Sequence, residues 1–168
     1  MSGRERPQGK LGLAIRELHR SELSLADDLR RVSDRHHAEH EIHHIARDLA
    51  TWSQEHARDL SKEGKNYRLH LHRRRLDYSR ALGWARQKIS DATGRRPDPG
   101  LLLLADLRRL HRKAAGVSVD WELLAQGAQA VKDPELLSLA KRAHPQTLRQ
   151  MRWTNAMLKT LSPQILAS

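Results

Sequence analysis

The sequence contains no cysteine and no phenylalanine, only two tyrosines, and no long apolar run. Without thiols, disulfides, thiolate metal sites and cysteine nucleophiles are all excluded. With so few aromatics, the core must be built from Leu, Ile, Ala and the four tryptophans. The longest uninterrupted apolar stretch, residues 101–105, is far shorter than the roughly 20 residues a membrane-spanning helix needs. The start, MSGRERPQGK, is basic but has no apolar run behind it, unlike a signal peptide. These absences set the expectation of a soluble, cytoplasmic chain with no membrane partner. A glycine-rich phosphate loop, a nucleophile elbow and a paired-acid motif are missing too.

What remains suits an all-α domain. At 168 residues the chain is long enough to bury a core, and 38% hydrophobic against 30% charged residues is too apolar for a disordered polymer. Glycine and proline gather at a few points and leave long uninterrupted stretches between. The formal charge of +11 invites an anionic partner. It is equally what an arginine-rich composition spread over solvated helix faces would give, since net charge speaks to solubility rather than fold.

Apolar residues recur at alternating spacings of four and three, the stripe of an amphipathic helix. After a loose tail over residues 1–9, a first helix begins at Lys10 with the stripe Leu11, Ile15, Leu18, Glu22, Leu25, Leu29, Val32. It ends near Ser33-Asp34, a pair able to cap the next helix. The second stripe runs Ala38, Ile42, Ile45, Leu49, Trp52, His56, Leu60, and its helix stops at Gly64. Residues 64–100 form a long connection with a helical segment of its own, roughly residues 71–89, broken by Gly94 and the run from Arg95 to Gly100. The third stripe is the cleanest, from Leu103 through Leu110, Trp121 and Leu124 to Val131, locally weakened by Gly116, Val117 and Val119. In Lys132-Asp133-Pro134, Asp133 suits an N-cap and Pro134 the first helical position. The fourth stripe is Leu137, Ala140, His144, Leu148, Met151, Asn155, Leu158. Pro145 should bend or split this helix, and Ser162-Pro163 should end it before a tail over residues 162–168. Residues 10–161 thus make one domain: four helices, two short turns and one long connection. Two antiparallel hairpins joined by a helical crossover is the ferritin-like form of a four-helix bundle. The alternative is an up-down bundle with the middle segment as a fifth helix.

Each helix has one polar residue on or beside its inward stripe: Glu22, His56, Glu122 and His144. Carboxylates and imidazoles converging in a bundle interior are what iron, manganese or zinc requires. Glu122 and His144 stand level across a turn at Lys132-Asp133. Glu22 and His56 stand level only if their turn is centred near Glu39, whereas a turn at Ser33-Asp34 separates them by roughly 13 Å.

In layout and spacing over residues 10–161 the chain resembles the ferritin-like, rubrerythrin-type bundles. The resemblance implies single glutamates at Glu22 and Glu122, motif histidines at His56 and His144, and a di-metal centre. In that family a glutamate precedes each motif histidine by three places, but here those places hold Ser53 and Lys141. With two of six ligands missing, a degenerate site is implied, metal-free or holding a single metal, and no working ferroxidase. An ammonium from Lys141 near Glu22 and Glu122 can replace the charge of a metal. The competing reading is a structural or interaction module in which His56 and His144 are core histidines bonded to carbonyls or carboxylates.

Two further features stand apart. The run from His36 to His44 holds Glu41-x-x-His44 and His40-x-x-x-His44, spacings that share a helix face. His36, His40 and His43 project off the stripe, so solvent exposure with adventitious zinc or nickel affinity is expected. Between Glu63 and Asp98 stand ten Lys/Arg against four Asp/Glu, which places about half the net charge there. Arg68, Arg73, Arg74 and Arg75 are the candidate phosphate contacts for non-specific nucleic-acid binding. Mini-ferritins that coat DNA carry comparable basic segments. A homodimer is the expected assembly, through spare apolar helix faces.

Overall fold

The computed structural model describes residues 9–72 and 98–168. Among these residues the chain forms four α-helices and one 3-10 turn: α1 Lys10–Arg35, α2 His40–Gly64, the 3-10 turn Lys65–Tyr67, α3 Pro99–Ala130 and α4 Pro134–Leu166. The architecture is an all-α bundle. No helix among the described residues is long and apolar enough to cross a membrane. The expected helical segment at residues 71–89 falls almost wholly outside the described residues, as do residues 1–8 of the tail.

The stripes of α1 and α3 are buried as their spacing requires. Ile15, Leu18, Leu25 and Leu29 face Leu107, Leu110, Trp121 and Leu124 in one core, all at or near zero exposure. Val131 alone leaves the α3 stripe, at 54% exposed. Gly116, Val117 and Val119 do not interrupt α3, because tertiary packing of Val117 outweighs local propensity. Helix α4 corrects the sequence reading. Its buried line is Leu136, Leu139, Ala140, Ala143, Thr147, Gln150 and Thr154, while Asn155 and Leu148 face outward. Pro145 and Pro163 both lie inside the continuous helix, so neither splits nor ends it.

The termini of the elements explain where they sit. Asp98 and Asp133 cap α3 and α4, accepting from the Leu101 and Leu136 amides at 2.9 and 3.2 Å, with Pro99 and Pro134 in the first turn. Each such cap contributes about 1 kcal/mol. Ser33 is no cap: it lies within α1, and the turn to α2 comprises residues 36–39. The Ser33 hydroxyl donates to the His43 carbonyl at 2.7 Å, and His43 Nδ1 lies 2.9 Å from the Ser33 carbonyl.

Helix α1 packs on α2 and α3, and α4 packs on α3 and α2, closing a ring around the core. At one end, α2 finishes beside the start of α1, where a Cβ at Gly12 would come within 3.9 Å of Leu69, and beside the α3–α4 turn, where Tyr67 donates to Asp133 at 2.5 Å. At the other end, the α1–α2 turn meets the start of α3 through Asp106. This carboxylate is 1% exposed and accepts from Arg35 Nη1 at 2.9 Å and Arg109 Nη2 at 2.9 Å, with His36 Nε2 also at 2.9 Å. His36 is therefore buried, contrary to the expectation of solvent exposure; the Asp106 carboxylate draws it in. His43 is half-buried against Ser33 for the reason above, while His40 is exposed as expected.

Candidate functional site

The interior position that Glu22 takes on the α1 stripe leaves its side chain wholly buried, and His56 of α2 is 4% exposed beside it. A turn at residues 36–39 brings the two level. His56 Nδ1 lies 2.8 Å from Glu22 Oε1, and Trp121 Nε1 donates to the same oxygen at 2.7 Å. The other ring nitrogen, His56 Nε2, lies 2.6 Å from Gln146 Oε1 on α4. The imidazole meets the Trp121 indole edge-on, with ring centroids 5.6 Å apart and planes at 82°. One residue from each helix thus closes the site.

Both nitrogens of His56 face oxygen acceptors, and only the imidazolium has two N–H groups to give them. Burial opposes that charge, but the hydrogen bond to Glu22 and its negative charge, then the Gln146 contact and the field of Glu55, outweigh it. The His56 pKa is raised above its ordinary 6.5. The ion pair is thereby paired, hydrogen-bonded and dry, the condition under which buried charges persist. Below it, Gln150 Nε2 donates to the Leu49 carbonyl and to Ser53 Oγ, each at 3.0 Å, tying α4 to α2.

The structure assembles only half of the expected ligand set. Glu22 and His56 meet. Glu122 is exposed, because Trp121, one place before it, takes the inward position and presents its indole to Glu22. His144 is half-buried and its Nε2 lies 2.8 Å from Ser118 Oγ, on the side of α4 that packs against α3. Lys141 is exposed on α4, and the cation beside Glu22 is His56 instead. Ser53 is buried, but it serves Gln150. Among the described residues no group of three or more His, Cys, Asp or Glu side chains is arranged to hold a metal ion. The residues present do not fit a di-metal centre: of the four expected ligands just Glu22 and His56 meet, and both His56 nitrogens already face oxygens of Glu22 and Gln146.

No family model, no curated protein and no solved structure matches this chain. The site must be judged on its own chemistry.

Sequence reasoning missed Gln150 and Thr147, which belong to the true inner line of α4, and the half-buried Gln146 beside it. A search for apolar stripes passes over such residues, and the signal was the spacing of Ala140, Ala143 and Thr147. It also missed the clasp of Lys113 on Asp28 and on Ser24 Oγ, which joins α3 to α1. Of the basic candidates, Arg68 is exposed with a left-handed backbone, φ 57°. Arg73, Arg74 and Arg75 lie outside the described residues.

Proposed function

We propose that this chain is a non-catalytic structural and interaction module: a bundle of two antiparallel hairpins with ferritin-like connectivity and a metal-free ionic core. The observation that carries the reading is His56, whose two nitrogens are both committed, one to Glu22 and one to Gln146. An imidazolium in this place supplies the positive charge that a metal would bring to a carboxylate, and it needs no further ligands. The pattern of contacts supports the connectivity. Along α1 and α2, Ser33 meets His43 while Glu22 meets His56, and along α3 and α4, Ser118 meets His144 while His111 meets Thr154. Helix α2 finishes at the end of the bundle opposite the start of α3, as a crossover between two hairpins requires.

The test is metal content per chain by mass spectrometry, on tag-free protein before and after dialysis against Fe(II) and Mn(II). Wild type and His56→Ala are expected to carry equally little metal. Stoichiometric metal that His56→Ala abolishes overturns the reading.

A further inference from the structure

One buried histidine plays no part in the ionic core. His19 lies on α1, one turn before Glu22, and is 6% exposed. No hydrogen bond or ion pair joins its ring among the described residues. Burial holds its pKa below 6.5, so at neutral pH it is an uncharged imidazole with one N–H to give and one bare nitrogen to receive. Its ring nitrogens are not among the sealed, unpartnered polar atoms, so they stay open to a molecule that enters from outside.

His19 lines a cavity of about 170 Å³ between α1 and α2. Leu23, Ala57 and Leu71 supply apolar wall, and Arg58 and Lys62 stand at the rim. Leu71 is held in place rather than merely near. Ser61 Oγ donates to its carbonyl at 3.0 Å, and the absence of a side chain at Gly64 admits it, since a Cβ there would come within 3.1 Å of Leu71 Cδ1. Among the described residues the rim cations pair within their own helix, Arg58 with exposed Glu55 at 3.9 Å and Lys62 with half-buried Asp59 at 2.9 Å. Such pairs are weak and yield to a better anion. An apolar cavity of about 150 Å³ accepts one benzene ring.

The geometry points to a binding site for a small hydroxylated aromatic acid, its ring against Leu23, Ala57 and Leu71, its carboxylate at Arg58 and Lys62, and its hydroxyl on His19. Each part of the ligand answers a feature of the cavity. The volume takes one ring, the rim takes a negative charge, and the unpartnered imidazole takes a hydroxyl.

The experiment is calorimetric titration of the full chain with 4-hydroxybenzoate, benzoate and toluene. 4-Hydroxybenzoate is expected to bind saturably and about tenfold more tightly than benzoate, the worth of one buried hydrogen bond. In His19→Phe that preference should vanish. In Arg58→Ala/Lys62→Ala, both exposed changes that leave the fold intact, the two acids should weaken about tenfold while toluene does not change. Absence of saturable 4-hydroxybenzoate binding by the wild-type chain overturns the proposal. So does binding that neither variant alters. Saturable binding of toluene alone overturns the assignment of an acid.

Discussion

Glu22 and His56 stand 34 residues apart in the chain, yet they meet at 2.8 Å in the bundle interior with almost no access to solvent. Trp121 from α3 and Gln146 from α4 complete the contact. A charge at this depth survives only because each partner answers the other, so the pair acts as a register pin among four helices. Sliding any helix by a turn strands a buried ion.

Removing one partner should therefore cost more than removing both. His56→Leu leaves the Glu22 carboxylate dry and uncompensated, and a loss of about 3–5 kcal/mol is expected. Glu22→Leu/His56→Leu replaces the pair by apolar bulk and should be less damaging than either single change, although Trp121 then loses its acceptor. Urea unfolding of the four members of this double-mutant cycle measures the coupling. Additive losses would mean the pair is not a unit.

The pair also sets a pH response. Because the folded-state pKa of His56 is raised, its stabilisation is fully present below the ordinary value near 6.5 and is lost as pH rises through the folded value. Wild-type stability should fall with rising pH across that window, and His56→Gln should flatten the slope. Asp106 acts in the other direction. Burial opposes its ionisation, but His36, Arg35 and Arg109 more than offset this and hold its pKa below the usual carboxylate range. That contribution is present above the unfolded value near 3.9 and is lost as pH falls through the folded one. Thermal melts from pH 4 to 9, with an NMR titration of the His56 ring, test the sign of the His56 arm.

Asp106→Asn should loosen one end of the bundle. It removes the charge that draws in His36 and two arginines, leaving His36, at 8% exposed, without its carboxylate. Arg35 and Arg109 are each more than a third exposed, so water recovers part of the loss. The expected cost is about 1.5–3 kcal/mol, the worth of a charged hydrogen bond. Hydrogen exchange should locate it at the α1–α2 turn and the first turns of α3. Uniform faster exchange across all helices would show that Asp106 is no local clasp.

Aliphatic patterning was legible and polar packing was not. The stripes of α1 and α3 could be read because Leu, Ile and Trp repeat on one face. The inner line of α4 could not, because Thr147, Gln150 and Thr154 are polar: Gln150 is held by the Leu49 carbonyl and Ser53 of α2, while Thr154 donates to the Gln150 carbonyl of its own helix and meets His111 of α3. Ser33 and Asp98 show the same limit in capping. Ser33 resembles a cap but sits one turn inside α1, serving His43. Asp98 followed by Pro99 resembles a breaker but starts α3. Half of the candidate site was legible: Glu22 and His56 betray themselves by interrupting apolar stripes. Glu122 borders its stripe, and His144 interrupts a stripe that runs one step off the buried line of α4, so neither reaches the interior.

The contact at the other end of the bundle gives a last, ordered prediction. Asp133 is 4% exposed and does two tasks: it caps α4 at Leu136 and accepts from Tyr67, itself 3% exposed. Tyr67→Phe removes one hydrogen bond but leaves the cap, so a loss of about 0.5–1.5 kcal/mol is expected. Asp133→Ala removes the cap, worth about 1 kcal/mol, and also leaves the buried Tyr67 hydroxyl without this acceptor, for about 1–3 kcal/mol more. Adding Tyr67→Phe to Asp133→Ala should then recover part of that loss, because the buried hydroxyl that lost this acceptor is gone. Calorimetric melting of the three variants tests the order: the double variant should melt above Asp133→Ala and below Tyr67→Phe. A double variant that melts below Asp133→Ala would show that the Tyr67 hydroxyl has another strong partner at that end, and that Asp133 does not hold the 3-10 turn against α4.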